Sequence, residues 1–270
     1  MKSASVVPAA IAVIAVAIVF GGLPRPAWAL TPVEIMEKNF VATKYPDSTS
    51  ETTMTLTNKA GKQRVRKTFG TTKLEPNGLD NMRMTRFLEP ADVKGTVSLL
   101  VEHSEKDDDI WIYLPSVKKV RRLVSSNKKD SFVGTDFSYG DVIGHKVKEW
   151  DHKLVKEEEV DGKPCYVIES TPRDASIKAN TGYSRRVGWI EKDNFVTWKG
   201  VLYDEAGELL KEAKFTNYTE VDPVRHRWQA GQLEMRNVQA EHSTVIHIDQ
   251  IKVNIGVKGD YFTTRYMEQQ

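Results

Sequence analysis

Six histidines, one cysteine and a run of three aspartates are the residues of this chain whose types suit bond-making chemistry, and their spacing organises little of it. His103, His145, His152, His226, His242 and His247 form no His-Glu-x-x-His pattern, and there is no Gly-x-Ser-x-Gly elbow or phosphate-cradling Gly-rich loop. His247 and Asp249 share a strand face, as metal ligands or as a cross-strand polar pair. Asp107, Asp108 and Asp109 lack the calcium-loop pattern and fall where a hairpin tip is expected. Cys165 stands in an apolar strand, where a thiol is inert, and being alone it excludes an intrachain disulfide framework or a Cys-rich zinc module. The reading is a protein that is not an enzyme and uses no cofactor and no metal.

Binding is better served. Trp111 and Tyr113 point to one side of a strand while Ile110, Ile112 and Leu114 point to the other. Both faces are apolar, which suits a strand with one packed side and one cavity side, or a strand buried on both. Phe132, Phe137, Tyr139, Trp189 and Trp198 add aromatic surface, and Met82 with Met84 adds flexible thioethers that tolerate ligands of variable shape. These nine residues are the candidate lining of a ligand cavity; plain core packing is the competing use of each. Between Asp109 and Asp130 every charge is positive: Lys118, Lys119, Arg121, Arg122, Lys128 and Lys129. Lys118, Lys119, Arg121 and Arg122 are candidates for docking on anionic head groups or an acidic partner, against the alternative of a solvated loop face.

The elements that must position these residues are mostly strands. With 270 residues, 40% hydrophobic and 28% charged, the chain can bury a sizeable core. Thr31-Pro32-Val33-Glu34 carries a helix cap, a first-turn proline and a capping box, and Val33, Met36, Phe40 and Val41 keep helical spacing until Tyr45-Pro46. From Ser48 the period changes to two. Strand runs follow at 52–56, 65–69, 82–87, 97–101, 110–114, 165–169, 185–190, 196–203, 210–217, 233–238 and 245–255, several of them separated by turn signals. Three stretches break the rhythm: the first helix, Pro115 to Lys148, and Gly259 to Gln270, where Asp260 is placed to cap a short helix. The pattern predicts one long antiparallel meander, mainly β with some helix, curved strongly enough for helices to cover one face.

Trp111-Ile112-Tyr113-Leu114-Pro115, Arg121-Arg122 and Gly134-Thr135-Asp136-Phe137 together resemble the LolA-like outer-membrane lipoprotein-sorting superfamily, in its branch of periplasmic proteins linked with membrane transporters. The resemblance covers most of residues 30–270 and implies an unclosed antiparallel β-barrel with a helical lid over an apolar cavity that takes up the acyl chains of a lipid or lipoprotein. Its partners would be those acyl chains, an inner-membrane transporter and, transiently, a membrane surface. No position matches the lid arginine of the superfamily's carriers. The alternative reading is an envelope-lipid sensor or adaptor that works with such a transporter; a hydrolase acting on an apolar substrate is the third.

Residues 1–29 read as an address. Lys2, the apolar run Val6 to Phe20 and Ala27-Trp28-Ala29 follow the order of a secretory signal peptide, and the run is too short for a typical membrane span. Two of the 39 basic residues, Lys2 and Arg25, lie there with no acidic residue, so the remainder balances the 37 acidic ones and a globally basic nucleic-acid binder is excluded. A single carrier domain, 30–270, in the periplasm is expected. Intact-mass analysis of the exported fraction should give a chain beginning at Leu30; a full-length, membrane-retained product would contradict the export reading.

Overall fold

The computed structural model describes Met1 and residues 30–269, so the proposed leader apart from Met1 lies outside the described residues. The first element among the described residues is α1 (Pro32–Ala42), started as the sequence requires: Thr31 Oγ1 accepts from the Glu34 amide at 3.2 Å while the Glu34 carboxylate accepts from the Thr31 amide at 2.8 Å. Thirteen strands follow: β1 (Asp47–Thr57), β2 (Gln63–Leu74), β3 (Asn81–Glu89), β4 (Val97–Val101), β5 (Asp109–Leu114), β6 (Lys119–Leu123), β7 (Trp150–Val160), β8 (Lys163–Pro172), β9 (Arg185–Glu191), β10 (Thr197–Tyr203), β11 (Leu209–Asp222), β12 (Arg227–Asn237) and β13 (His242–Val253). Three short α-helices accompany them among the described residues: α2 (Tyr139–Ile143), α3 (Ala175–Thr181) and α4 (Thr264–Glu268). None of the described helices is long and apolar enough to cross a membrane.

All thirteen strands form one antiparallel sheet in the order 6-5-4-3-2-1-13-12-11-10-9-8-7, which is not closed. First strand and last pair in the middle, from Ser48 opposite Val253 to Thr57 opposite Ser243. The two edges are therefore β6 and β7, consecutive in sequence, and residues 124–149 connect them.

That connector has its own core on each half of the sheet. Phe132, Tyr139 and Ile143 pack with Met54, Leu56, Phe87, Leu100 and Ile110 of β1, β3, β4 and β5, whereas Phe137 packs with Trp150, Leu202, Ala213 and Met235 of β7, β10, β11 and β12. In a flat sheet the eight spacings between β5 and β10 would span roughly 38 Å, at about 4.8 Å each. One short segment reaches both only because the sheet curls around it, and the face it occupies is here called the inner face.

The opposite, outer face is also covered at one end. Val257, Phe262 and Met267, from the C-terminal segment and α4, pack on Met84, Val97 and Leu99, with Met82, Trp111, Tyr113 and Val120 alongside. Helices were expected on one face only; the chain end returns to the other. Its helix is capped by Thr263, whose hydroxyl accepts from the Tyr266 amide at 3.1 Å, and not by Asp260, which belongs to the preceding turn of 3-10 helix, Gly259–Tyr261.

Two strands depart from the sequence reading. Lys119–Leu123 is an edge strand inside the stretch read as an interruption, and Trp150–Val160 is a strand with almost no alternation because its residues from Lys153 to Glu159 are exposed. An edge strand solvated on both faces gives no period-two signal, and its charges guard against stray pairing.

Phe132, 3% exposed, touches Phe87 with ring centroids 6.0 Å apart and Tyr139 edge-on at 5.4 Å. We predict that Phe132→Ala destabilises the fold by about 3–5 kcal/mol, measured by urea denaturation, through the cavity it leaves. A loss below about 1 kcal/mol would mean that the connector is not part of the core.

Candidate functional site

The connector is pinned by charge as well as by packing. Ser138 begins α2 with a capping box in which the Asp141 carboxylate accepts from the Ser138 amide at 2.8 Å. The same carboxylate accepts from the Tyr183 hydroxyl at 2.9 and 3.0 Å and from Lys211 Nζ at 3.1 Å, and Lys211 also reaches the Tyr183 oxygen at 2.9 Å. Burial works against the charge of Asp141, but Lys211, His145 and the Ser138 amide outweigh it and hold the carboxyl well below its ordinary range. His145 is pushed down to about 4 by burial and by the nearby Arg186, against the pull of Asp141, so it is neutral at pH 7.

On the other half-sheet Arg66 donates to the Val133 carbonyl and Arg83 to the Val142 carbonyl. Two of the three aspartates read as a hairpin tip grip both ends of the connector: Asp107 accepts from Ser125 at 2.9 Å, and Asp108 from Lys128 at 2.6 Å with Lys146 3.8 Å away.

Two clefts border this plug. The larger, about 1110 Å³, lies among hairpin tips and the connector. Its charges are engaged with one another: Lys129 with Glu205 at 3.1 Å, Lys59 with Glu241 at 2.9 Å, and His242 Nδ1 with Asp136 at 2.6 Å, where Thr244 also donates at 2.7 Å. Such walls suit water. The smaller, about 420 Å³, opens between α1 and the end of the connector; Phe40, Val41, Leu79, Ile143 and Val147 line it, with Glu37, Glu105 and Lys148 among its charged lining. An apolar floor with polar groups beside it is the composition of a ligand site.

Beyond this cleft the inner face carries a lane of small residues. Gly188 of β9 stands opposite Gly200 of β10, which stands opposite Ala213 of β11. A Cβ built on Gly188 would meet only Ile190 Cδ1 at 3.5 Å, and one on Gly200 only Ala213 Cβ at 3.5 Å. Glycine inside a strand marks a place where something else approaches the backbone. Helix α1 lies against β7, the 3-10 turn Val147–Glu149 before it, and β12, so it bridges the strip of sheet that contains the lane. It is held by Asn39, which donates to the Phe195 carbonyl at 2.7 Å and to Thr197 at 3.0 Å, and by the buried Ile35 and Ala42, while none of the three main apolar clusters contains an α1 residue.

The sequence-predicted cavity residues do not converge. Trp111, Tyr113, Met82 and Met84 belong to the outer face under α4, on the opposite side of the sheet from Phe132, Phe137 and Tyr139, which are core residues of the connector. Alternation separates the two faces of β5 but cannot say which one a distant segment will cover. Trp189 donates to Glu158 at 3.3 Å with Lys199 over its ring, on the face opposite Gly188. Trp198 donates to the buried Glu191 at 2.7 Å and packs on Tyr218.

Lys118 lies in the β5–β6 turn, and Lys119, Arg121 and Arg122 on edge strand β6 rather than in a loop; all four are exposed, and Arg122 pairs with Asp109. Asp249 accepts from Thr53 at 2.7 Å, a cross-strand polar contact. Burial, with Glu191 nearby, pushes the Cys165 thiol up to about 11. Sequence reading missed Asp141, Gly188 and Gly200; the glycines inside strand runs were the available signal.

A family model described as an uncharacterized protein matches residues 79–269. No curated protein matches the chain. Among solved structures, a domain described as outer-membrane lipoprotein-sorting from Vibrio parahaemolyticus is 29% identical with a TM-score of 0.80, covering 88% of this chain and 98% of its own. A DUF1329 family protein from Desulfovibrio piger is 32% identical with a TM-score of 0.78, covering 88% and 100%. A LolA superfamily protein from Nitrosomonas europaea, 20% identical with a TM-score of 0.67 over 88% and 100%, shares the fold.

Because folding lowers the Asp141 pKa, its contribution to stability is full above the unfolded value of about 3.9 and is lost as pH falls below it. Asp141→Asn should cost about 3–5 kcal/mol at pH 7 by leaving Lys211 unpaired, and should flatten the acid limb of the stability curve. Adding Lys211→Met should recover part of that loss. Equal stability of Asp141→Asn and the parent in urea at pH 7 would contradict the pinning role.

Proposed function

The chain belongs to the DUF1329 family, within the LolA-like lipoprotein-sorting superfamily, and on that premise we propose that it carries the acyl chain of a lipid or lipoprotein across the periplasm, bound on the inner face beneath α1. The observation that carries this reading is the lane at Gly188 and Gly200, two glycines facing each other on the inner face beneath α1 and bordered by Ala213 of the connector core. The mechanism is physical: each methylene that leaves water contributes about 0.8 kcal/mol, and the position of α1 sets uptake and release. The connector, built into two cores and an ionic cluster, is the fixed wall, and α1 is the cover.

Residues 1–29 act as the export signal in this account, and 30–270 as one carrier domain. The exposed cations Lys118, Lys119 and Arg121, which have no ion pair among the described residues, favour a brief stop on an anionic membrane or an acidic face of a transporter. That edge also supports the second reading, an adaptor for an inner-membrane transporter, in which β6 is the docking surface.

A fluorescent fatty-acid analogue should bind saturably to the protein purified without detergent. Gly200→Leu should weaken that binding at least tenfold, while Gly200→Ala raises stability by about 0.4–1 kcal/mol, since Gly200 has ordinary strand dihedrals and room for a methyl group. Trp111→Asp, on the outer face, should leave binding unchanged and loosen α4. Undiminished binding by Gly200→Leu, or its loss in Trp111→Asp, would move the site away from the lane.

A further inference from the structure

The cations on the inner side are nearly all answered by the protein. Lys44 donates to Glu102 and to the Leu79 carbonyl, Arg66 and Arg83 to connector carbonyls, and Lys211 to Asp141 and Tyr183. Arg227 of β12 and Arg186 of β9 are the exceptions, and Arg227 still donates to the His226 carbonyl at 3.4 Å, which leaves Arg186. It stands on β9 between Ser170 of β8 and Leu202 of β10, with its guanidinium carbon 3.9 Å from the centre of the fully buried Trp150 ring.

Among the described residues no carboxylate comes within ion-pair distance of Arg186, and its Nε is shut off from solvent without a hydrogen-bond partner. The nearby Asp141 is committed to Tyr183, Lys211 and the Ser138 amide, and the Ser170 hydroxyl to His152 at 2.8 Å. The indole Nε1 of Trp150 is unpartnered too. Burial lowers the Arg186 pKa to about 10, which leaves it charged at pH 7. A half-buried cation held against an aromatic face, with its planar fork uncommitted, offers a seat for an anion.

The small-residue lane begins two residues further along the same face of the same strand. Gly188 follows Arg186 on β9, and Gly200 precedes Leu202 on β10. A molecule with an anionic head on Arg186 would lay its tail over Gly188 and Gly200, toward Ala213 at the border of the connector core. Resting on the carrier reading above, we infer that Arg186 is the head-group anchor for a single-chain anionic amphiphile, a carboxylate or phosphate monoester, whose tail occupies that lane.

Calorimetric titration of the mature protein at pH 7.5 with dodecyl phosphate, dodecanol and inorganic phosphate tests the assignment. The parent should bind dodecyl phosphate at least tenfold tighter than dodecanol, and Arg186→Met should bind the two equally, near the parent's affinity for dodecanol. The melting temperature of unliganded Arg186→Met should be no lower than the parent's, because a cation without a partner has been removed; a purely structural arginine would give the reverse. Should Arg186→Met fail to fold, that structural role is indicated and the assignment falls unless Arg186→Lys folds with a reduced preference for the phosphate.

Equal binding of dodecyl phosphate and dodecanol by the parent would overturn the anchor and leave the carrier intact. Inorganic phosphate binding as tightly as dodecyl phosphate would overturn the amphiphile in favour of a free anion. No binding of dodecanol or dodecyl phosphate would overturn both the anchor and the carrier reading.

Discussion

Pairing β1 with β13 puts the two ends of the meander in the middle of the sheet and leaves the consecutive strands β6 and β7 as its open edges. Whatever joins them must cross the gap, and a segment that crosses a curled sheet meets side chains from both halves. Residues 124–149 meet that demand with different side chains facing each half, Phe132 and Tyr139 on one side and Phe137 on the other. Asp141 adds a polar tie, since a buried carboxylate tolerates its position only with Tyr183 and Lys211 in place.

The same constraint divides the inner face into two kinds of surface. Where the connector lies, aromatic rings interdigitate and there is no room for a guest. Under α1 the sheet presents Gly188 and Gly200, up to Ala213 at the border of the connector core, and the helix above is held by hydrogen bonds at its flank and by the buried Ile35. Local stability follows the buried contacts an element makes, and the connector belongs to two of the main apolar clusters whereas α1 belongs to none, so α1 is the element that opens first. The carrier mechanism therefore assigns rigidity to the connector and motion to α1.

Much of this was legible in the sequence, and the parts that were not share a cause. Thr31, Pro32 and Glu34 announce α1 because capping is local, and the short, mostly apolar runs at 97–101 and 110–114 announce strands because burial is two-sided there. Asp141 was invisible, because its partners Tyr183 and Lys211 come from 42 and 70 residues further along the chain. Trp111 and Tyr113 were legible as one apolar face, but only the return of residues 257–267 decides that this face is the outer one. Gly188, Gly200 and Arg186 become a group only through the β9–β10 register, which no single strand contains.

The most direct test is a pair of distances measured by pulsed electron spin resonance in a Cys165→Ser background, with labels at Glu37 on α1 or Ser126 on the connector, each paired with Lys214 on β11. All three sites are exposed and none lines the lane. On saturation with a single-chain lipid, the account predicts that the Glu37–Lys214 distribution shifts to longer distances while the Ser126–Lys214 distribution stays where it was. An unchanged Glu37 distance with ligand bound, or movement at Ser126 instead, would contradict the assignment of α1 as the cover and the connector as the wall.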